Sequence, residues 1–275
     1  MGEAGDGSAL SSPAELLARA ARIYRERWRV VFVILGAGAA AGFAGLLASS
    51  LVGAAWLSVA PRAFSEGLVF MGAGAMALLV AFFLWTQVAL CVALTVPDPA
   101  PDAAACFQAA WSKAPGFLWV CLLWMAASVG GLFLLVVPGL LAGVWLAFGP
   151  FIYLTEGVGG LDALLKSRHY VGGRSRGVLG RLSLASAAAT APAAVPVGGA
   201  LLWLMAWPFA LINVSVLLDD LRRLSRGAPF VPERRGRLLV LLCAAGLLVP
   251  AALAPRAADW ARGRLAPLLG ARGVR

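Results

Sequence analysis

The sequence predicts an all-α fold: a polytopic helical membrane protein with a six-helix transmembrane core, an N-terminal amphipathic helix and a seventh, C-terminal span. Three observations predict it. Of 275 residues, 61% are hydrophobic and only 13% charged, with a mean hydropathy of +0.86; a soluble domain is about one-quarter charged. Apolar runs of roughly 18 or more residues recur, each long enough to cross ~30 Å of hydrocarbon as a helix. The runs are uniformly apolar, which excludes the alternating strands of an outer-membrane barrel.

Residues 1–12 are small and polar and read as disordered. Ser12-Pro13-Ala14-Glu15 is a capping box with proline at the first helical position. Leu16, Leu17, Ala20, Ile23, Tyr24 and Trp28 then fall at helical spacing, with Arg19, Arg22, Arg25 and Arg29 largely opposite. The pattern predicts an amphipathic helix on the membrane surface, so that 1–29 form a first segment.

The six-span membrane domain occupies 30–226. Its first span, 30–57, exceeds the roughly 7–15-residue core of a cleaved signal peptide and reads as a retained anchor. Gly38 and Gly42 within it have the spacing that lets helices approach closely. The second span, 68–96, carries Gln87 and ends at Pro97-Asp98-Pro99-Ala100-Pro101, which no helix interior tolerates. A short surface helix over 102–114 precedes the third span, 115–137. Pro138-Gly139 then makes a hairpin into a fourth span, which leaves the apolar region at Glu156.

The apolar stretch 182–218 would be about 55 Å long as one helix, too long for one crossing. Pro192, Pro196, Gly198 and Gly199 interrupt it, so it reads as two spans turning near 196–199, with a single kinked helix as the competitor. The C-terminal extension, 227–275, holds a marginal seventh span at 238–254 and a basic tail. A re-entrant or interfacial helix is the alternative for that last run.

Net charge is +10, and apart from Lys113 and Lys166 the 23 basic residues are all arginine. They cluster beside the apolar runs: five before the first span, five in 156–181, six in 219–237 and five in the tail. The loops 58–67, 138–139 and 196–199 contain only Arg62. The positive-inside rule therefore places the N-terminus and the first three clusters in the cytoplasm, while a seventh span would export the tail. Juxtamembrane placement points to anionic lipid headgroups as partners, with a membrane protein second, and not to nucleic acid. The Ala/Gly/Arg bias points to a bacterial plasma (inner) membrane.

The segment "FIYLTEG" followed by "LDALLKSRHYVGG" resembles the integral-membrane domain family of glycerophosphoryl diester phosphodiesterases and related uncharacterised bacterial inner-membrane proteins. Pro138, Gly139, Glu156, Ala163, Leu164, Ser167 and Gly173 occupy the family's places, and Asp220-Leu221-Arg222 fits its closing acidic-Leu-Arg element. The resemblance covers roughly residues 15–226 and implies a six-helix membrane domain. It implies no activity, because the family's phosphodiesterase reaction belongs to a separate soluble barrel that this sequence does not contain.

Glu156 is the foremost candidate residue, since a carboxylate at the edge of a span is costly unless paired or hydrated. Arg168 or Arg174 is its expected partner, and with Lys166 these residues form a candidate ion pair or headgroup site. Asp162 and Lys166 have the i,i+4 spacing of a helix-surface pair. Gln87, Asn213 and Ser215 are intramembrane polar groups that either join helices or line a polar path. His169 reads as interfacial.

Cys91, Cys106, Cys121 and Cys243 show no CxxC pairing, and the single histidine has no ligating cluster beside it. No metal or cofactor is expected. The sequence carries no HExxH, GxSxG or paired-aspartate constellation, so a membrane enzyme is the least favoured class. A scaffold or envelope-maintenance protein that contacts lipid comes first, and a transporter or lipid translocase second.

Overall fold

The computed structural model describes residues 10–59, 64–95, 101–196, 198–225, 230–231 and 234–249. Among them lie nine α-helices and no strand: α1 (Pro13–Val59), α2 (Phe64–Thr95), α3 (Ala103–Leu134), α4 (Val136–Leu146), α5 (Gly149–Glu156), α6 (Gly160–Val171), α7 (Ser175–Thr190), α8 (Gly199–Leu224) and α9 (Arg234–Ala245). Five helical stretches are long and apolar enough to cross a membrane: Pro13–Trp56, Gly67–Thr95, Ala103–Leu134, Val136–Glu156 and Leu202–Leu224. The chain is an all-α, multi-pass membrane protein. Of the other two expected spans, α7 has 16 residues and α9 has 12.

The capping box forms as the sequence predicts. Ser12 N–H donates to Glu15 Oε2 at 2.9 Å, and Glu15 N–H donates to the Ser12 hydroxyl at 3.2 Å. From there α1 runs unbroken for 47 residues, about 70 Å, so the amphipathic stretch and the first span are one rod. Leu16 and Ala20 are buried, packed against α8 and not laid on a surface.

Proline decides where the middle helices stop. Its ring collides with the carbonyl four residues earlier. Pro138 therefore cannot continue an unbroken helix past the Leu134 carbonyl, and α3 ends at Leu134. Leu135 is extended (φ −160°, ψ 139°), and the hairpin turns on it rather than on Pro138-Gly139. Those two residues fall in the first turn of α4, where a missing N–H costs no bond. Pro150 acts likewise on Leu146, so the fourth span is broken at Ala147-Phe148 into α4 and α5. Pro115 and Pro208, by contrast, are carried inside α3 and α8. The expected surface helix 102–114 is thus the start of α3, capped by Asp102.

The stretch 182–218 is two helices, as the two-span reading expects, with a 3₁₀ turn at Ala191–Ala194 and a left-handed Gly198 (φ 82°) between α7 and α8. The single kinked helix is ruled out. Helix α9 starts beside α6, where Arg237 meets Asp162, and follows α3 to the α3–α4 turn. The end of the last apolar run and the tail lie outside the described residues.

Burial is concentrated at one end of the bundle. Residues 86–94 of α2 are buried without a gap, in a helix that packs on α1 and α3 and touches α8 through Gln87 and Trp207. The outer limbs of α1 and α2 expose Phe43, Leu51, Val52, Val69 and Met76, the apolar surface that lipid covers in a membrane protein. These limbs meet through glycine: a Cβ at Gly53 would overlap the Met71 side chain. Among the described residues the ion pairs lie at the buried end, and so does the candidate site.

Candidate functional site

Helix α5 delivers Glu156 at its last position, and Gly157 (φ 70°) then turns the chain in a conformation that favours glycine. Helix α6 follows at once. Lys166 and Tyr170, four residues apart, stand on the face that looks back at Glu156. The Lys166 ammonium lies 2.5 Å from Glu156 Oε2. Arg222 of α8 donates to Oε1 at 2.8 Å, and the Tyr170 hydroxyl donates at 3.4 Å. Arg222 also bonds Asp219 at 2.9 Å and the Thr155 hydroxyl. One carboxylate thus ties α5, α6 and α8 together, with 20% of its side chain exposed.

The field of this carboxylate shows in its neighbours. The hydrogen bond from Lys166 to Glu156 holds the ammonium above its ordinary pKa, against a smaller opposing effect of burial. Burial raises the Tyr170 phenol, and the negative charge of Glu156 adds to that rise.

A second ion pair stands beside the first. Asp220 of α8 accepts two bonds from Arg19 of α1, at 2.9 and 2.7 Å, with its carboxylate only 7% exposed. On a helix, residues 220 and 222 diverge by about 200°, so Asp220 reaches α1 while Arg222 reaches α5. Leu221 between them is buried in the core. Arg181 of α7 closes the same end, donating to the carbonyls of Leu10 and Ser11.

The expected partners of Glu156 are corrected. Arg168 and Arg174 do not reach it. Arg168 is about 200° round α6 from Tyr170 and lies 5.2 Å over the Trp145 ring. Arg174 sits in the turn before α7. The i,i+4 pair between Asp162 and Lys166 is also absent: Lys166 turns to Glu156, while Asp162 takes Arg237 at 2.8 Å. Arg222 was the missed partner, and the Asp-Leu-Arg run was its signal. Nothing in the sequence pointed to Arg19 and Asp220 as a pair.

The polar residues inside the spans act between or within helices. Gln87 of α2 accepts from the Trp207 indole of α8 at 2.6 Å, joining the two. Asn213 donates to Phe209 of its own helix, and Ser215 to Ile212. The most informative polar group is Ser167, buried on α6 opposite the break in the fourth span. Its hydroxyl donates to the Trp145 carbonyl at 2.7 Å and accepts from Phe148 N–H at 3.2 Å. It supplies both partners that the interrupted helix has lost. Ala163 and Leu164 are buried beside it, and Leu164 fills the space that a side chain at Gly149 would need.

The described residues hold no group of three or more side chains suited to a metal. The four cysteines are free thiols. No family model, no curated protein and no solved structure matches this chain. Fold and site define its class, a multi-pass helical membrane protein whose ion pairs, among the described residues, are gathered at one end.

Proposed function

We propose that this chain is a non-catalytic protein of a bacterial inner membrane, with its N-terminus and basic end in the cytoplasm. It serves as a membrane scaffold or envelope-maintenance accessory that contacts anionic lipid. One observation carries the reading: the carboxylates of Glu156 and Asp220 are both committed to ion pairs between helices. Groups so engaged hold helices in register, whereas acid–base chemistry needs a proton carrier within reach of a substrate. The exposed Arg22, Arg25, Arg29 and Arg176 add positive charge of the kind that sets topology and attracts anionic headgroups.

The test is mass spectrometry of the protein extracted into lipid nanodiscs, wild type beside Glu156→Gln. A lipid or a stoichiometric protein partner that co-purifies with the wild type is expected. Substrate-dependent flux in proteoliposomes would replace this reading with the second one, a transporter or lipid translocase. The broken fourth span favours that second reading, because interrupted helices host many transport sites. Against it, the break is packed shut, with Phe148 and Ser167 both buried.

A further inference from the structure

Beside the ion-paired cluster, on the other face of α6, a groove of about 260 Å³ opens between α6 and the chain entering α9. It is lined by Leu165, Arg168, His169, Phe230, Val231 and Gly236. That is large against the ~30 Å³ share of one water and a little below the roughly 300–1,000 Å³ of sites that engulf a whole ligand. The groove suits a headgroup whose remainder lies outside.

Its chemistry is that of an anion site with an apolar margin. The Arg168 guanidinium carbon lies 5.2 Å from the centroid of the Trp145 ring, a cation–π contact that does not use the N–H donors in hydrogen bonds. A Cβ at Gly236 would overlap the Leu165 side chain at 2.8 Å, so glycine there lets the start of α9 close on that wall of the groove. Among the described residues no carboxylate pairs with Arg168, since Glu156 is held by Lys166 and Arg222 and Asp162 by Arg237. His169 adds a ring 5.9 Å from Phe230, and the Lys166 ammonium lies 6.0 Å from the centroid of that same ring. Leu165, Phe230 and the exposed Val231 supply the apolar wall.

We propose that this groove binds the phosphodiester of an anionic phospholipid, with the Arg168 guanidinium as the donor fork, His169 beside it, and the apolar wall against the glycerol backbone. The proposal rests on the reading of the protein as one that contacts anionic lipid, and it moves the headgroup site away from Glu156. Arginine is the residue whose geometry matches phosphate in two-point fashion. The groove also lies at the basic end of the spans, where headgroups gather.

The experiment uses the full chain in nanodiscs of phosphatidylcholine with dilute phosphatidylglycerol, and mass spectrometry of the lipid retained on ejection. The wild type is expected to retain phosphatidylglycerol selectively. Arg168→Met should lower that retention about tenfold, the factor that ~1.4 kcal/mol of lost interaction produces. Val231→Asp is the second variant. Val231 is 70% exposed, so the fold tolerates the change while a carboxylate enters the groove; retention should fall similarly. Gln108→Ala, exposed on α3 and outside the groove, should retain the lipid.

Retention that survives both groove variants overturns the assignment of the groove while leaving lipid contact standing. No selectivity in the wild type overturns the reading beneath it. Inorganic phosphate that binds in pure phosphatidylcholine discs with the same dependence on Arg168 assigns the groove to a soluble phosphate, and overturns the lipid.

Discussion

Arg19 and Asp220 lie 201 positions apart and meet in a two-pronged ion pair, at 2.9 and 2.7 Å, that fastens α1 to α8. Only arginine presents two parallel N–H groups to a carboxylate in this way. Asp220→Asn keeps the shape and removes the charge, leaving a partly buried guanidinium without its partner. It should cost about 1–3 kcal/mol of stability in detergent, and Arg19→Lys less. A thermal-unfolding cycle with Arg19→Met, Asp220→Asn and the double variant checks it. Strictly additive losses would mean that the two side chains do not act on each other.

Ser167 should matter more than its size implies. Removing its hydroxyl leaves both the Trp145 carbonyl and the Phe148 N–H without a partner in a buried place. Ser167→Ala should therefore destabilise by about 1–3 kcal/mol. Ser186→Ala, on exposed helix surface, should stay within about 0.5 kcal/mol of wild type. Equal denaturation midpoints for the two variants would show that the break between α4 and α5 does not depend on α6.

The Glu156 cluster predicts alkaline sensitivity. Lys166 is held above its ordinary pKa of 10.5 by its bond to Glu156, and Tyr170 above 10.0 by burial and the same charge. For both groups the folded-state value exceeds the unfolded one. Their contribution is thus complete below those ordinary values and declines as pH rises through the raised ones. Melting temperatures followed from about pH 8 to about pH 11 should fall at the upper end. Lys166→Met should fall less steeply there from a lower starting point. Parallel curves for the two proteins would separate the alkaline loss from this lysine.

Much of this architecture is legible in composition and period, because a span must be long and apolar whatever its neighbours. The reading of 182–218 as two helices follows from the same arithmetic. What escapes is the identity of contacts. Arg168 or Arg174 is the expected partner for Glu156 until the helical angle of α6 against α5 is known, and that angle delivers Lys166 instead. The ends of α3 and α4 are more local. Pro138 and Pro150 mark them four residues ahead, at Leu134 and Leu146, but Pro115 and Pro208 have the same local rule and do not break their helices. Tertiary packing decides between the two outcomes, and Ser167 shows how: a distant hydroxyl satisfies the groups that a break leaves open.

Glycine at the α3–α9 contact offers the sharpest test of how α9 is held. A Cβ at Gly130 would collide with the backbone carbonyl of Cys243, and one at Gly246 with the carbonyl of Gly130. Neither obstacle is the flexible end of a side chain, so a methyl group at 130 must push α9 away. Gly143 on α4 is the control, because a Cβ there would stand 3.8 Å from the Ser128 hydroxyl, in ordinary contact. Helix propensity alone favours alanine at both positions by up to about 1 kcal/mol. Packing reverses the sign at 130: Gly130→Ala should destabilise by about 1–3 kcal/mol, while Gly143→Ala should be neutral or stabilising. Cys243 reports the movement, since its thiol is buried in this contact. With Cys91, Cys106 and Cys121 replaced by alanine, maleimide should label Cys243 slowly in the parent and in Gly143→Ala, and rapidly in Gly130→Ala. Equal labelling in all three would mean that α9 does not depend on this contact for its place.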